Sequence, residues 1–218
     1  VMTCGVSLYL VALSTDLSLR SIIIASLITI WAIRLGSFLF LRVKREGRDN
    51  RFNVMKTKFW WFLFTWTMSG LWVLITSGPA VAVLTTDVTK AISWMGYLGI
   101  ILWVIGFTIE VTADNQKSAF LAKEKNKDNF INSGLWAWSR HPNYFGEILL
   151  WFGVSLLALP VLSGLQLVTL VSPVFVYFLL TKISGIPMLE ARADKKWGGN
   201  PNYIMYKKNT PSLFPSKP

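Results

Sequence analysis

Apolar and polar positions in this chain alternate in long blocks rather than in the short periods of a soluble helix or strand. Apolar blocks near the ~20-residue length of a bilayer-crossing helix occur at 21–43, 59–77, 93–111, 143–159 and 165–182. Each predicts a membrane span. A further apolar stretch at 1–13, ended by Ser14-Thr15-Asp16, predicts the tail of another span whose upstream part is missing. No charged segment precedes it, so it does not read as a signal peptide. The predicted fold class is therefore all-α, a polytopic integral membrane helical bundle of about six spans. It is expected to form a single membrane domain over residues 1–218, with 183–218 as a tail or lid.

Composition supports this reading, since 53% of the residues are hydrophobic and 11 are tryptophan. A lone cysteine, Cys4, excludes an internal disulfide framework and a Cys-type metal site. The net charge of +11 raises the question of nucleic acid, but the basic residues flank apolar spans. The positive-inside rule explains them better, and no nucleic-acid partner is expected. Lys and Arg concentrate in 42–58, in 112–142 and in the tail, whereas 14–20, 78–92 and 160–164 are nearly uncharged. The basic segments and the C-terminus are accordingly expected to be cytoplasmic, in a bacterial inner membrane or the endoplasmic reticulum. That places the polar chemistry on one face, open to a soluble anionic cofactor, with an apolar substrate arriving through the lipid.

The densest chemistry is Ser139-Arg140-His141-Pro142-Asn143-Tyr144-Phe145-Gly146-Glu147, which carries the only histidine. Pro142 disfavours helix at His141 and suits a first helical turn, so a helix is expected to begin there. The free N–H groups of that end suit an anion, although the same residues also suit a polar cap at the membrane interface. Arg34 falls midway along a span, where it needs a partner or a wet cavity. It reads either as an interhelical ion pair or as a phosphate-facing cation. Arg42, Lys44, Arg45, Arg48 and Arg51 read either as topology and lipid-headgroup contacts or as a phosphate clamp. Residues 112–120 are expected to continue the fourth helix out of the membrane, with Asp114 and Lys117 on one face and Asn115 beside them. In the tail, Glu190 and Asp194 are four apart, and Trp197, Tyr203, Tyr206 and several prolines suggest an ordered lid or an interfacial helix. The chain has no G-x-G-x-x-G, no P-loop and no His or Cys cluster spaced for zinc.

Taken together, Asn115-Gln116-Lys117, Gly134-Leu135-Trp136, the 139–147 block, Ser184-Gly185-Ile186-Pro187 and Glu190-Ala191-Arg192 resemble a known group. They are similar to the C-terminal half of membrane sterol reductases, and more closely to the steroid 5-alpha-reductase C-terminal-domain family often called DUF1295. The Arg-His-Pro-Asn-Tyr block is also shared with isoprenylcysteine and phospholipid methyltransferases. The resemblance implies NADPH bound in a cytoplasm-facing cavity. By motif match, its cofactor-contacting positions are Asp114, Asn115, Lys117, Arg140, His141, Asn143, Tyr144, Glu147, Glu190 and Arg192, with Arg34, Arg42 and Arg45 from the second span. Trp31 stands where the 5-alpha-reductases carry the tyrosine that polarises the substrate carbonyl. Tyr144, then His141, are left as the visible proton donors.

The expected activity is hydride transfer from NADPH to an activated C=C of an apolar lipid, steroid-like or isoprenoid substrate. The alternatives are an S-adenosylmethionine-dependent membrane methyltransferase of the isoprenylcysteine type, and a non-catalytic lipid-binding membrane protein.

Overall fold

The computed structural model describes residues 18–46, 58–126 and 128–216. Its helices are α1 (Leu19–Glu46), α2 (Phe59–Leu84), α3 (Trp94–Leu121), α4 (Pro142–Ala158), α5 (Ser172–Phe178), α6 (Ile186–Trp197) and α7 (Pro201–Asn209), and no strand occurs among the described residues. Five stretches are long and apolar enough to cross a membrane: Leu19–Lys44, Phe59–Leu84, Trp94–Leu121, Pro142–Val161 and Gly164–Trp197. The protein is thus an all-α, multi-pass membrane bundle. The expected span at 1–13 lies outside the described residues, as do Arg48 and Arg51 and the side chain of Arg45.

Two of the expected spans take a different form. The third was expected to stop at residue 77, before Gly78-Pro79, but α2 runs on to Leu84. Pro79 lacks the N–H that would bond Ile75, yet the turn is held laterally. Ser77 Oγ donates to Val73 O at 2.7 Å, and Ser172 Oγ donates to Thr76 O at 2.7 Å. These side-chain bonds brace the carbonyls on either side of Ile75, and membrane helices tolerate proline where such local bonds are made. The expected span at 165–182 begins as a 3-10 helix over Gly164–Val171, becomes α5, and widens into a π turn over Leu179–Ile183. Pro173 supplies no N–H to an i−4 carbonyl, and Ser172 N bonds Thr169 O instead, in the tighter i−3 pattern.

The chain forms two compact units, Val1–Tyr97 with Val154–Ser172, and Leu98–Gly153 with Pro173–Pro218. In the first, Ile24, Ile28, Ala80, Val83 and Leu157 are essentially solvent-free, and Trp31 tilts against Trp72 at 6.3 Å. Trp31 is therefore a packing residue in this unit. Arg20, one residue into α1, is 1% exposed. Its Nη1 donates to Leu157 O, and its Nη2 to Ala91 O at 2.9 Å. It donates to carbonyls at the end of α4 and in the 84–94 connection. Arg20→Met keeps the volume and removes both bonds. It is expected to lower stability by about 3 kcal/mol, read as a shift in the denaturation midpoint in detergent.

The second unit is built on a close crossing of α3 and α4. A Cβ at Gly146 would meet Gly106 O at 2.5 Å and Glu110 N at 2.7 Å, and one at Gly153 would meet Gly99 O at 2.5 Å. The pairs 106/146 and 99/153 run in opposite chain directions, so the helices are antiparallel, with glycine seven residues apart on each. Small residues let membrane helices approach until backbones touch. This crossing sets the 139–147 block beside the end of α3.

Candidate functional site

The site is assembled in the second unit from the end of α3, the loop before α4, and the tail. Each motif read from the sequence has a local reason for its residues. Gly134 has φ +65°, and a Cβ there would fall 2.6 Å from Gln116 Oε1. The positive φ calls for glycine, and a Cβ there would also displace the Gln116 amide. Leu135 N donates to that same oxygen at 2.9 Å, and Trp136 Nε1 donates to Ala113 O at 3.0 Å. Lys117 then lies over the Trp136 ring at 4.7 Å. The Asn-Gln-Lys and Gly-Leu-Trp segments are therefore two halves of one clasp that folds the 122–138 loop back on α3.

The tail is ordered, as its aromatic and proline content suggested. After the π turn, a Cβ at Gly185 would collide with Leu180 O, so glycine permits the reversal that starts α6 with Pro187 in its first turn. Beyond α7, the chain laces along the residues before α4. Arg140 N donates to Pro211 O at 2.9 Å, Ser139 Oγ to Leu213 O at 2.8 Å, and Ser216 N to Trp138 O at 3.0 Å.

Glu190 is the electrostatic centre. Its Oε1 receives Arg140 Nη2 at 2.9 Å and lies 3.4 Å from His141 Nε2, while Lys207 Nζ is 3.5 Å from its Oε2. Arg140 also donates through Nη1 to Lys207 O at 2.9 Å, while its buried Nε makes no hydrogen bond. Lys207 Nζ binds both oxygens of Asp194 at 2.7 Å, and Tyr203 OH donates to Asp194 at 2.9 Å. Tyr206 OH donates to Trp136 O at 2.7 Å. Burial, then the Asp194 bond, pushes the Tyr203 phenol up to about 12, and burial raises that of Tyr206. Both phenols therefore stay protonated and serve as fixed donors.

These groups enclose a cavity of about 280 Å³. Among the described residues, Lys117, Arg140, Arg192 and Lys196 bring four cations to its wall, and Glu190 is the one carboxylate. Phe130, Trp136, Trp197, Tyr203 and Tyr206 supply aromatic surface. Phe130 stacks on Tyr206 at 5.4 Å and meets Tyr203 edge-on at 5.3 Å. Such a lining suits a planar, anionic ligand: guanidinium and ammonium groups hold phosphate oxygens, and rings stack.

Of the positions expected at the cofactor, the structure brings Lys117, Arg140, His141, Glu190 and Arg192 to this one cavity. Tyr144 is not among its lining residues. It stacks on the His141 ring at 5.6 Å and 14°. Asp114 accepts a hydrogen bond from Asn143 Nδ2 at 3.2 Å, which ties α3 to α4 beside the cavity. Asn115 is exposed, and Glu147 is half-buried in the first turns of α4. Arg34 and Arg42 lie on α1 in the other unit, Arg34 over the Phe38 ring at 5.2 Å. Phe130, Lys196 and Lys207 were not anticipated. The basic–aromatic run of the tail was the only available hint.

His141 is held below its ordinary pKa, chiefly by burial. The Glu190 bond and charge pull it back up, and Lys117 and Arg140 push it down again. The unfolded chain takes up this proton as pH falls through about 6.5, whereas the folded ring resists to lower pH. The unfolded state then binds more protons, so stability is full above that range and declines as pH falls below it. The urea midpoint is expected to drop between pH 7.5 and 5.5, and His141→Gln is expected to flatten that slope.

Neither a curated protein nor a solved structure matches the chain. The family model described as a protein of unknown function, DUF1295, matches residues 1–210. That is nearly the whole length, and the chain belongs to the DUF1295 family.

Proposed function

We propose that this protein is an NADPH-dependent membrane reductase that passes a hydride to an activated C=C of an apolar lipid, steroid-like or isoprenoid substrate. The observation that carries the reading is the cavity's imbalance of four cations to one carboxylate within an aromatic wall. Adenosylmethionine has no phosphate and carries a sulfonium cation, so this charge pattern disfavours the methyltransferase alternative. NADPH brings a pyrophosphate and a 2′-phosphate, which the cavity's Lys and Arg side chains are suited to neutralise.

In this reading NADPH supplies the hydride when bound. The chain's residues do the rest. Arg140, Lys117 and Arg192 hold the phosphate-bearing part, and Glu190 holds Arg140 and His141 in place. His141 is neutral at pH 7, so it is a poor acid, and Tyr144, stacked on it, is the better proton donor to the acceptor carbon skeleton. The apolar spans exclude water and admit the substrate from the bilayer. The basic loops and the tail face the cytoplasm, as their Lys/Arg excess favours.

The test is NADPH oxidation by the purified protein against a panel of enone-bearing isoprenoids and sterols, followed by absorbance and product mass. The proposal expects a gain of two hydrogens in at least one substrate and a substantial loss of rate in Tyr144→Phe. Methyl transfer from adenosylmethionine without NADPH turnover would replace it with the methyltransferase reading.

A further inference from the structure

A second concavity opens beside the cationic cavity, also wholly within the second unit, with a volume of about 560 Å³. Six carboxamides line it, those of Asn126, Asn129, Asn132, Asn200, Asn202 and Asn209. These are six of the ten asparagines in the chain, gathered from the 122–133 loop and from both ends of α7. Among the described residues no charged side chain lines the groove. Six carboxamides give it many donors and acceptors for a ligand's polar groups.

Half of the amides are oriented in advance. Asn126 Nδ2 donates to Phe120 O and Asn129 Nδ2 to Lys125 O, both at 3.0 Å, which fixes the plane of each amide. Asn200 Oδ1 accepts Asn202 N at 2.9 Å as the cap of α7, which leaves its Nδ2 as a donor. Among the described residues, Asn132, Asn202 and Asn209 make no side-chain hydrogen bond within the protein. Phe120 and Tyr206 add ring surface at the edge. Most usefully, Phe120, Asn129, Phe130 and Tyr206 line both this groove and the cationic cavity. The two cavities are therefore immediate neighbours.

We infer that the asparagine-lined groove receives the adenosine half of the dinucleotide, its base and ribose, while the cationic cavity takes the phosphates. This rests on the reductase reading for the identity of the ligand and adds which end lies where. A carboxamide pairs in two-point fashion with the N6/N7 edge of adenine, the remaining amides suit the ribose 3′-hydroxyl and can donate to the oxygens of its 2′-phosphate, and a ring stacks the base. The nicotinamide half must instead meet an apolar substrate. The amide-rich groove suits a base and a sugar better than it suits that encounter.

The experiment compares NADPH with reduced nicotinamide mononucleotide, which lacks the adenosine half, on the full chain and on the Asn132→Ala/Asn202→Ala double variant. Both side chains are exposed and unbonded, so the fold should tolerate the change, and thermal denaturation checks it. The expected result is about tenfold weaker NADPH binding with the mononucleotide unchanged. Equal NADPH affinity in both proteins overturns the inference and leaves the reductase reading standing. Parallel weakening of both ligands also overturns it, since the effect then is not specific to adenosine. A wild-type protein that ignores NADPH altogether removes the reductase reading, and this inference with it.

Discussion

Arg140→Ala is expected to weaken NADPH binding about a hundredfold and to loosen the tail from the body of the second unit. One guanidinium does three things at once. It reaches Glu190 at 2.9 Å, donates to Lys207 O at 2.9 Å, and borders the cavity with its Nε unengaged by the protein. The Glu190 side chain is only 20% exposed, so the carboxylate left behind in the variant is poorly solvated. Removing one partner of such a pair costs about 3 kcal/mol, and a lost charge-assisted bond to phosphate costs about as much in binding. The two effects separate experimentally. Glu190→Gln removes the internal pair but keeps the cation at the cavity, so it should destabilise the apo protein while retaining most of the NADPH affinity. Arg140→Lys keeps the charge without the fork, and is expected to recover only part of the binding. If Arg140→Ala binds NADPH as the wild type does, the guanidinium is purely a fastening for the tail.

Gly146→Val is expected to cost about 3 kcal/mol or more, the largest effect on stability of any substitution discussed. The added Cβ falls 2.5 Å from Gly106 O and 2.7 Å from Glu110 N. Those are backbone atoms of another helix, which cannot rotate away as a side-chain tip can. Relief requires α3 and α4 to separate along the whole antiparallel seam, including the 99/153 contact. Since that seam sets the 139–147 block beside Lys117, ligand binding should fall together with stability. Unfolding in detergent, monitored by tryptophan fluorescence, checks the first effect. A wild-type denaturation midpoint for Gly146→Val would show that the crossing is looser than the structure has it.

The membrane class and most of the spans were legible because an apolar block near bilayer length has one economical solution in lipid. The helix start at Pro142 and the extension of α3 through 112–120 were legible for local reasons, a proline that forbids helix before it and a polar surface on a helical spacing. What stayed hidden depended on contacts made at long range. The helix runs through Gly78-Pro79, and the bond that Thr76 O accepts there comes from Ser172, nearly a hundred residues away. Arg20 reads in sequence as an ordinary loop cation and proves to be buried against Leu157 and Ala91. At the site, the proximity of Arg140 to Glu190 followed from their motifs. The role of Lys207 did not, because nothing near it in the chain announces Asp194, Glu190 and Arg140 as neighbours. Gln116 was visible only as part of a motif, and its work, receiving Leu135 N across a glycine that must have positive φ, is a property of the folded loop.

The central claim is that the cavity around Arg140 and Glu190 grips a phosphate-bearing nucleotide. The direct measurement is an equilibrium titration of the detergent-purified protein with NADPH and, separately, with S-adenosylmethionine, each at low and high salt. The account predicts saturable NADPH binding that falls steeply as salt screens the cations, with no competition from adenosylmethionine. Binding of adenosylmethionine alone, or NADPH binding indifferent to salt, would contradict it.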